Sequence, residues 1–189
     1  MTGIKKNKYH IEGDSIYLRE VRLSDVNENY HRWLNDPEVN KYLETRFAPQ
    51  TIDSIKEYVE KMSQKADEIF LAICDKATDK HIGNIKLGPI NPHHKYADIS
   101  LVIGDKDFWG KGIATEAIKL ISDYAFVQLG LHKVSAGCYS DNIGSAKAFH
   151  KVGFTEEGRL KKHYLDANNN YIDRICLGLV NSKEQGGAQ

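Results

Sequence analysis

The residues with the clearest chemical potential lie at 109–115, Trp109-Gly110-Lys111-Gly112-Ile113-Ala114-Thr115. They follow an apolar stretch at 99–103 and open the most strongly patterned helical segment of the chain. Glycines let backbone N–H groups approach a ligand closely. The first N–H groups of a helix lack intrahelical partners, and the helix dipole favours negative charge there. Together these features make an anion site suited to phosphate, to which Lys111 and the Thr115 hydroxyl add. The same spacing is also that of an ordinary tight strand-to-helix turn. Two familiar phosphate loops are excluded. Thr115 stands where a dinucleotide fingerprint needs a third small residue, and Gly110-Lys111-Gly112 lacks the spacing of a P-loop. A second helix start, Asn142-Ile143-Gly144-Ser145, leads into Ala148-Phe149-His150-Lys151-Val152-Gly153-Phe154.

The elements around these segments follow from periodicity. Strands are expected at 15–21, 69–75, 81–90, 97–103 and 133–139, and a final hairpin at 154–165 and 171–180 turns around 166–170. Ser24 is placed to cap a helix reaching about residue 34, and Asp36-Pro37 to open a short one. The helix at 51–65 carries Ile52, Ile55, Val59 and Met62 at spacings of three and four. The helix at 112–129 carries Ile113, Ala117, Leu120, Ile121, Tyr124 and Ala125 on one face, with Gly130 beyond its end. A helix linking two strands by crossover requires at least one parallel pairing. The fold class expected is α/β (α+β): a mixed, mostly antiparallel sheet in one domain, 11–181, with loose ends at 1–10 and 182–189.

Composition narrows the partners. The chain has 189 residues, with 26 Lys plus Arg against 26 Asp plus Glu, so net charge is zero. That removes a broad electrostatic grip on nucleic acid or anionic membrane while leaving room for a local basic pocket. No apolar run approaches the roughly 20 residues of a membrane span, and residues 1–10 have no secretory pattern. Cys74, Cys138 and Cys176 form no CxxC pair, which fits buried inert thiols in a reducing cytoplasm. His93-His94 stand adjacent on a loop with no Cys or Asp cluster, so no metal site is expected.

The sequence resembles the GNAT superfamily of N-acetyltransferases, and within it the ribosomal-protein alanine and amino-sugar acetyltransferase branch. Three landmarks carry the likeness in order: WGKGIATEA after a strand, NIGSAKAFHKVGF about thirty residues on, and EEGRLKKHYLD before a closing strand. The resemblance implies a GNAT-type sheet of about seven strands flanked by helices, splayed between the fourth and fifth. It implies acetyl-CoA as co-substrate, its pyrophosphate on the loop Gly110, Lys111, Gly112, Ile113, Ala114 and Thr115. The pantetheine arm would run beside Leu101, Val102 and Ile103 as a pseudo-strand. Asn142 would bond that arm, if it does not serve only as a helix N-cap, while Phe149 and Lys151 would border the coenzyme.

The implied reaction is direct attack of a primary amine on the thioester. It needs a neutral amine, oxyanion stabilisation and a proton for sulfur. An α-amino group of pKa about 7.7–8.0 is neutral roughly one time in ten at pH 7, and a lysine at about 10.4 less than about one in a thousand. Two family positions depart from their usual residues. Phe149 stands where a tyrosine often gives the proton, and Gly137 where some members place a glutamate. Ser145 would then serve the leaving sulfur, and Asp98 or His163 would relay the amine's proton. Trp33, Asn35, Tyr42, Arg46 and Phe47 fall in the region that, in the family, covers the acceptor pocket, where an arginine among aromatics suits an anionic acceptor; Trp33 and Phe47 are equally suited to core packing. The acceptor expected is a small amine such as an amino sugar or amino acid. The alternatives are a protein N-terminal α-amine or a catalytically silent acetyl-CoA-binding module. Homodimerisation is common in the family.

Overall fold

The run Ile69–Asp75 is apolar at every position but the last, and it sits third in an eight-stranded sheet with helices over both faces, as such runs do. The computed structural model describes residues 9–182. The sheet is built from β1 His10–Glu12, β2 Ile16–Glu20, β3 Ile69–Asp75, β4 His81–Leu87, β5 Tyr96–Ile103, β6 Lys133–Tyr139, β7 Thr155–Leu165 and β8 Tyr171–Val180. Their order is β1-β2-β3-β4-β5-β6-β8-β7, antiparallel except between β5 and β6. The expected seven strands are present, and β1 is an eighth, paired to β2 from His10↔Arg19 to Glu12↔Tyr17. His10 therefore belongs to the sheet rather than to a loose end; residues 1–8 and 183–189 of the expected tails lie outside the described residues. β4 stops at Leu87, short of the expected Ile90, where Gly88 and Pro89 follow; proline has no N–H to continue a ladder.

Among the described residues five α-helices complete the fold: α1 Glu28–Asn35, α2 Pro37–Asn40, α3 Ile52–Gln64, α4 Ile113–Val127 and α5 Ile143–Val152. α1 starts three residues later than Ser24 would place it. Leu23–Asp25 form a single 3-10 turn, and Asn27 caps α1 by accepting from the N–H of Asn29 and Tyr30. One sheet face packs Ile16, Leu18, Leu71, Ile85 and Ile99 against Ile113, Ala117, Ile118 and Ile121 of α4. The opposite face packs Ala72 and Cys74 against Tyr30, Trp33 and Leu34 of α1 and Ile55 and Val59 of α3. Among the described residues no helix is long and apolar enough to cross a membrane.

β5 and β6 hold the site open. They pair only at Tyr96↔Lys133, Ala97↔Val134 and Asp98↔Ser135. Beyond Asp98, β5 keeps β4 on its other side and β6 keeps β8, but the two strands part. This is the separation the resemblance implied; counting β1, it falls between the fifth and sixth strands.

Gly104, just past β5, is held against Trp33: a Cβ there would lie 2.1 Å from the indole. Trp33 is 4% exposed and has nowhere to move. Gly104→Ala should therefore destabilise the fold by about 2 kcal/mol through overpacking. Chemical denaturation measures it, and a midpoint equal to that of the parent would show that the contact yields.

Candidate active site

The separating strands open onto a cleft of about 1260 Å³. Its first wall is the start of α4. Gly110 and Gly112 both adopt positive φ, +73° and +83°, which glycine tolerates and other residues resist. A Cβ at either would meet nothing within 4 Å, so the loop presents bare backbone to the cleft. Trp109 fixes the loop by donating Nε1–H to the Ile103 carbonyl at 2.8 Å. Lys106 ties it to α2 through Asp36 at 2.8 Å and Glu38 at 2.6 Å.

α4 differs from the other helices in its cap. Asn27, Asp36, Thr51 and Asn142 cap α1, α2, α3 and α5 with side-chain oxygens, whereas Gly112 gives α4 no side-chain cap. Ile113, Ala114 and Thr115 line the cleft, no side chain caps their N–H groups, and the first bond back into α4 is Glu116 N–H to the Gly112 carbonyl.

The second wall is the free side of β5, where Leu101, Val102 and Ile103 line the cleft. Across from it stand Gly137, Cys138 and Tyr139 of β6 and the start of α5. Asn142 accepts the Ser145 N–H through Oδ1 at 3.2 Å, so the helix-cap reading holds for that atom, while the residue also lines the cleft. Ser145, Phe149 and Lys151 line it too. Phe149 is 2% exposed and packs edge-on to Phe154, with no proton to give. Burial pushes the Cys138 thiol up to about 11, so it stays protonated and unreactive at neutral pH. Lys111 departs from expectation: its side chain is not part of the lining, and its ammonium lies 5.5 Å from the Phe108 ring centre.

On the acceptor side the structure sets several of the expected residues away from the cleft. Trp33 does not reach the cleft; it is core beneath Gly104. Phe47 is 61% exposed and outside the lining. Arg46 donates to the carbonyls of Lys41 and Leu165 and lies over the Phe47 and Tyr139 rings, 4.6 and 5.3 Å from their centres. Asp98 is exposed on the paired part of β5, and His163 is exposed on β7 with its ring against Tyr164; neither lines the cleft.

The cleft carries a tyrosine wall instead, of which the sequence alone places only Tyr42 in the covering region. Tyr139 stacks on Tyr164 with ring centres 4.2 Å apart and lies 5.4 Å from Tyr42. Its hydroxyl donates to Glu44 Oε1 at 3.3 Å. Burial, then the nearby Glu44 carboxylate, pushes the Tyr139 phenol up to about 12, so it remains a donor. Tyr42 reaches over to α5, donating within 3.3 Å of Asp141 Oδ2. Strand alternation held one signal: Tyr139 shares a face with Gly137, two residues before it, the position already marked as unusual.

Comparison with known proteins decides the family. The family model for the acetyltransferase (GNAT) domain matches residues 15–155. The chain belongs to the GNAT acetyltransferase family. It is an acetyl-CoA-dependent acyltransferase, and the uncapped start of α4 and the unpaired edge of β5 fit that coenzyme's phosphates and amides. It is 30% identical over 185 residues to a probable N-acetyltransferase of Bacillus subtilis (YjcK), covering 93% of this chain and 99% of that one. It is 27% identical over 165 residues, 86% of each chain, to spermidine N(1)-acetyltransferase of Escherichia coli. The spermidine N-acetyltransferase of Vibrio cholerae, crystallised with CoA and spermine, superposes with a TM-score of 0.80 at 25% identity, over 91% of this GNAT chain and 99% of that one. Two of these three relatives are named for spermidine, and none carries the narrower ribosomal-protein or amino-sugar branch.

Proposed function

We propose that this GNAT enzyme moves the acetyl group of acetyl-CoA onto the primary amine of a small acceptor. The observation that carries the reading is the bare start of α4 at the mouth of the β5–β6 separation. A helix start left without a cap, beside glycines that open onto a cleft, is set to take a diphosphate. Acetyl-CoA, when bound, supplies the activated acyl group; the protein supplies the rest. The free side of β5 offers backbone groups to the pantetheine amides, and Asn142 borders the same channel. Ser145 is placed to donate a hydrogen bond to the departing sulfur, since its Oγ has no bond of its own and Phe149 cannot act. The amine enters past Tyr42, Tyr139 and Tyr164. The rings give the amine an apolar passage, with Arg46 and Lys41 already over Tyr139 and Tyr42, and the Glu44 carboxylate attracts the ammonium and accepts its proton to free the nucleophile.

The test is release of free thiol from acetyl-CoA with a panel of small amines, an N-terminal peptide and buffer alone. Turnover with small amines is expected. Thermal stabilisation by acetyl-CoA with no thiol released from any amine would make the chain a silent binding module, a role that Phe149 and Gly137 leave open. Preference for the peptide would move the reading to protein N-termini. Within the transferase, Ser145→Ala should lower kcat about tenfold or more, the scale of losing a proton donor, with KM for acetyl-CoA nearly constant. An unaltered kcat removes Ser145 from that role.

A further inference from the structure

The cleft has a second arm, away from the tyrosine wall, running between the sheet and helices α1 and α3. Tyr30 and Tyr58 form its roof, and Phe70, Asn84, Lys86 and Val102 its floor. The floor residues share one sheet face. Asn84 pairs across with Val102 and with Ala72, and Lys86, two residues on, with Phe70.

Asn84 is the unusual member. It is 4% exposed, and its Nδ2 is buried without a hydrogen-bond partner, a costly state for an amide donor. Its other end is fixed: Oδ1 lies 2.9 Å from His81 Nε2. His81 is itself wedged between Tyr30 and Trp33, with ring centres 5.6 and 5.1 Å away. Burial holds the imidazole below its ordinary pKa, so the neutral ring donates Nε2–H to Oδ1 and turns Nδ2 away from itself.

Asn84 shares this arm with the phenols of Tyr30 and Tyr58 and with Lys86. Burial raises the Tyr30 phenol, which stays protonated. Lys86 lies 3.0 Å from Glu68, but Glu68 also binds Lys65, so the three groups together carry one net positive charge. Of the other acids nearby, Asp25 is closed off by Arg19, and Glu44 belongs to the opposite wall. An amide N–H, a phenol and a lysine line this arm, and the carboxylate behind them, Glu68, is bound between two lysines and is not part of the lining. We infer that this arm is a recognition subsite for a carboxylate on the acceptor and that Asn84, oriented by His81, is its specificity-determining residue. The acceptor is then an amino acid in the broad sense, its ammonium toward Glu44 and its carboxylate toward Asn84.

The inference rests on the transferase reading, and one experiment separates the two. Thiol release is measured with ω-amino acids from glycine to 6-aminohexanoate, each against the n-alkylamine and the diamine of matched length. At one chain length the amino acid should exceed its alkylamine in kcat/KM by about tenfold or more, the worth of a hydrogen bond to a charged group. Asn84→Leu should collapse that ratio to near one through KM, and Asn84→Asp, which adds a negative charge, should invert it in favour of the diamine. Alkylamines or diamines equal to the amino acids at every length, or a preference that survives both variants, would overturn the subsite. If no amine releases thiol, the transferase reading fails by itself. Calorimetry of the same amino acids into the acetyl-CoA-loaded protein then decides the subsite: heat that Asn84→Leu abolishes supports it, and no heat at any length overturns it.

Discussion

Thr115→Asp should raise the stability of the free enzyme and weaken its hold on acetyl-CoA at the same time. Thr115 is the third residue of α4, whose first N–H groups have no side-chain cap. A carboxylate in the first turn of a helix is favourable there by about 0.5 kcal/mol. The same charge would stand at the site proposed for the diphosphate. Two like charges about 4 Å apart repel by roughly 4 kcal/mol at an effective dielectric constant near 20, and screening reduces but does not remove this. We therefore expect KM for acetyl-CoA to rise about a hundredfold while the melting temperature holds or increases. Thr115→Asn, neutral and of similar shape, should leave KM within a few-fold. A KM that ignores the aspartate would place the phosphates elsewhere.

The second large effect concerns the fold. Arg19 and Asp25 form a doubly bonded ion pair, each contact 2.7 Å, and the Arg22 N–H also donates to Asp25 at 2.7 Å. The two side chains are 11% and 9% exposed, so removing one partner strands a charge in a mostly dry site. Arg19→Met should cost about 3 kcal/mol at pH 7, a fall of roughly 10 °C in melting temperature for a domain of this size. The pH dependence gives the sign. Burial raises the Asp25 pKa, but Arg19 and the Arg22 amide outweigh it and hold the carboxyl below its usual range. In the parent that contribution is complete above the unfolded pKa of about 3.9 and is lost as pH falls through the lower folded value. In Arg19→Met burial acts without the guanidinium, so protonation relieves the variant as pH falls. The stability gap should narrow between pH 7 and pH 4, and a constant gap would mean that the cost is lost packing alone.

What could be read from the residues divides along the cleft. The coenzyme wall is local in sequence: 109–115 and 142–151 each combine a strand end, a turn and a helix start, so residue type and spacing pointed to an anion site or a tight turn, and the family resemblance was needed to name the coenzyme. The acceptor wall joins Tyr42, Glu44, Tyr139 and Tyr164, from segments up to about 120 residues apart, and nothing in periodicity brings those together. Trp33 shows the same limit. An aromatic residue in a covering segment suits either a pocket or a core, and only the close approach of Gly104 decides it. Asp25 shows why α1 began late, since its side chain holds a 3-10 turn to β2 where Ser24 would have started a helix. β1 escaped notice because three residues are too few to display alternation.

The sheet is two blades, β1 to β5 and β6 to β8, joined along three register pairs. A coenzyme arm lying in the gap would act as a temporary rung between them, so occupancy adds a cross-link that the empty protein lacks. Ligand held at about 100 times its Kd adds about 2.7 kcal/mol to the folded state. Cofactor abundance would then set how long each molecule resists unfolding and proteolysis as well as how fast it works. An enzyme starved of acetyl donor would be cleared sooner than one kept supplied.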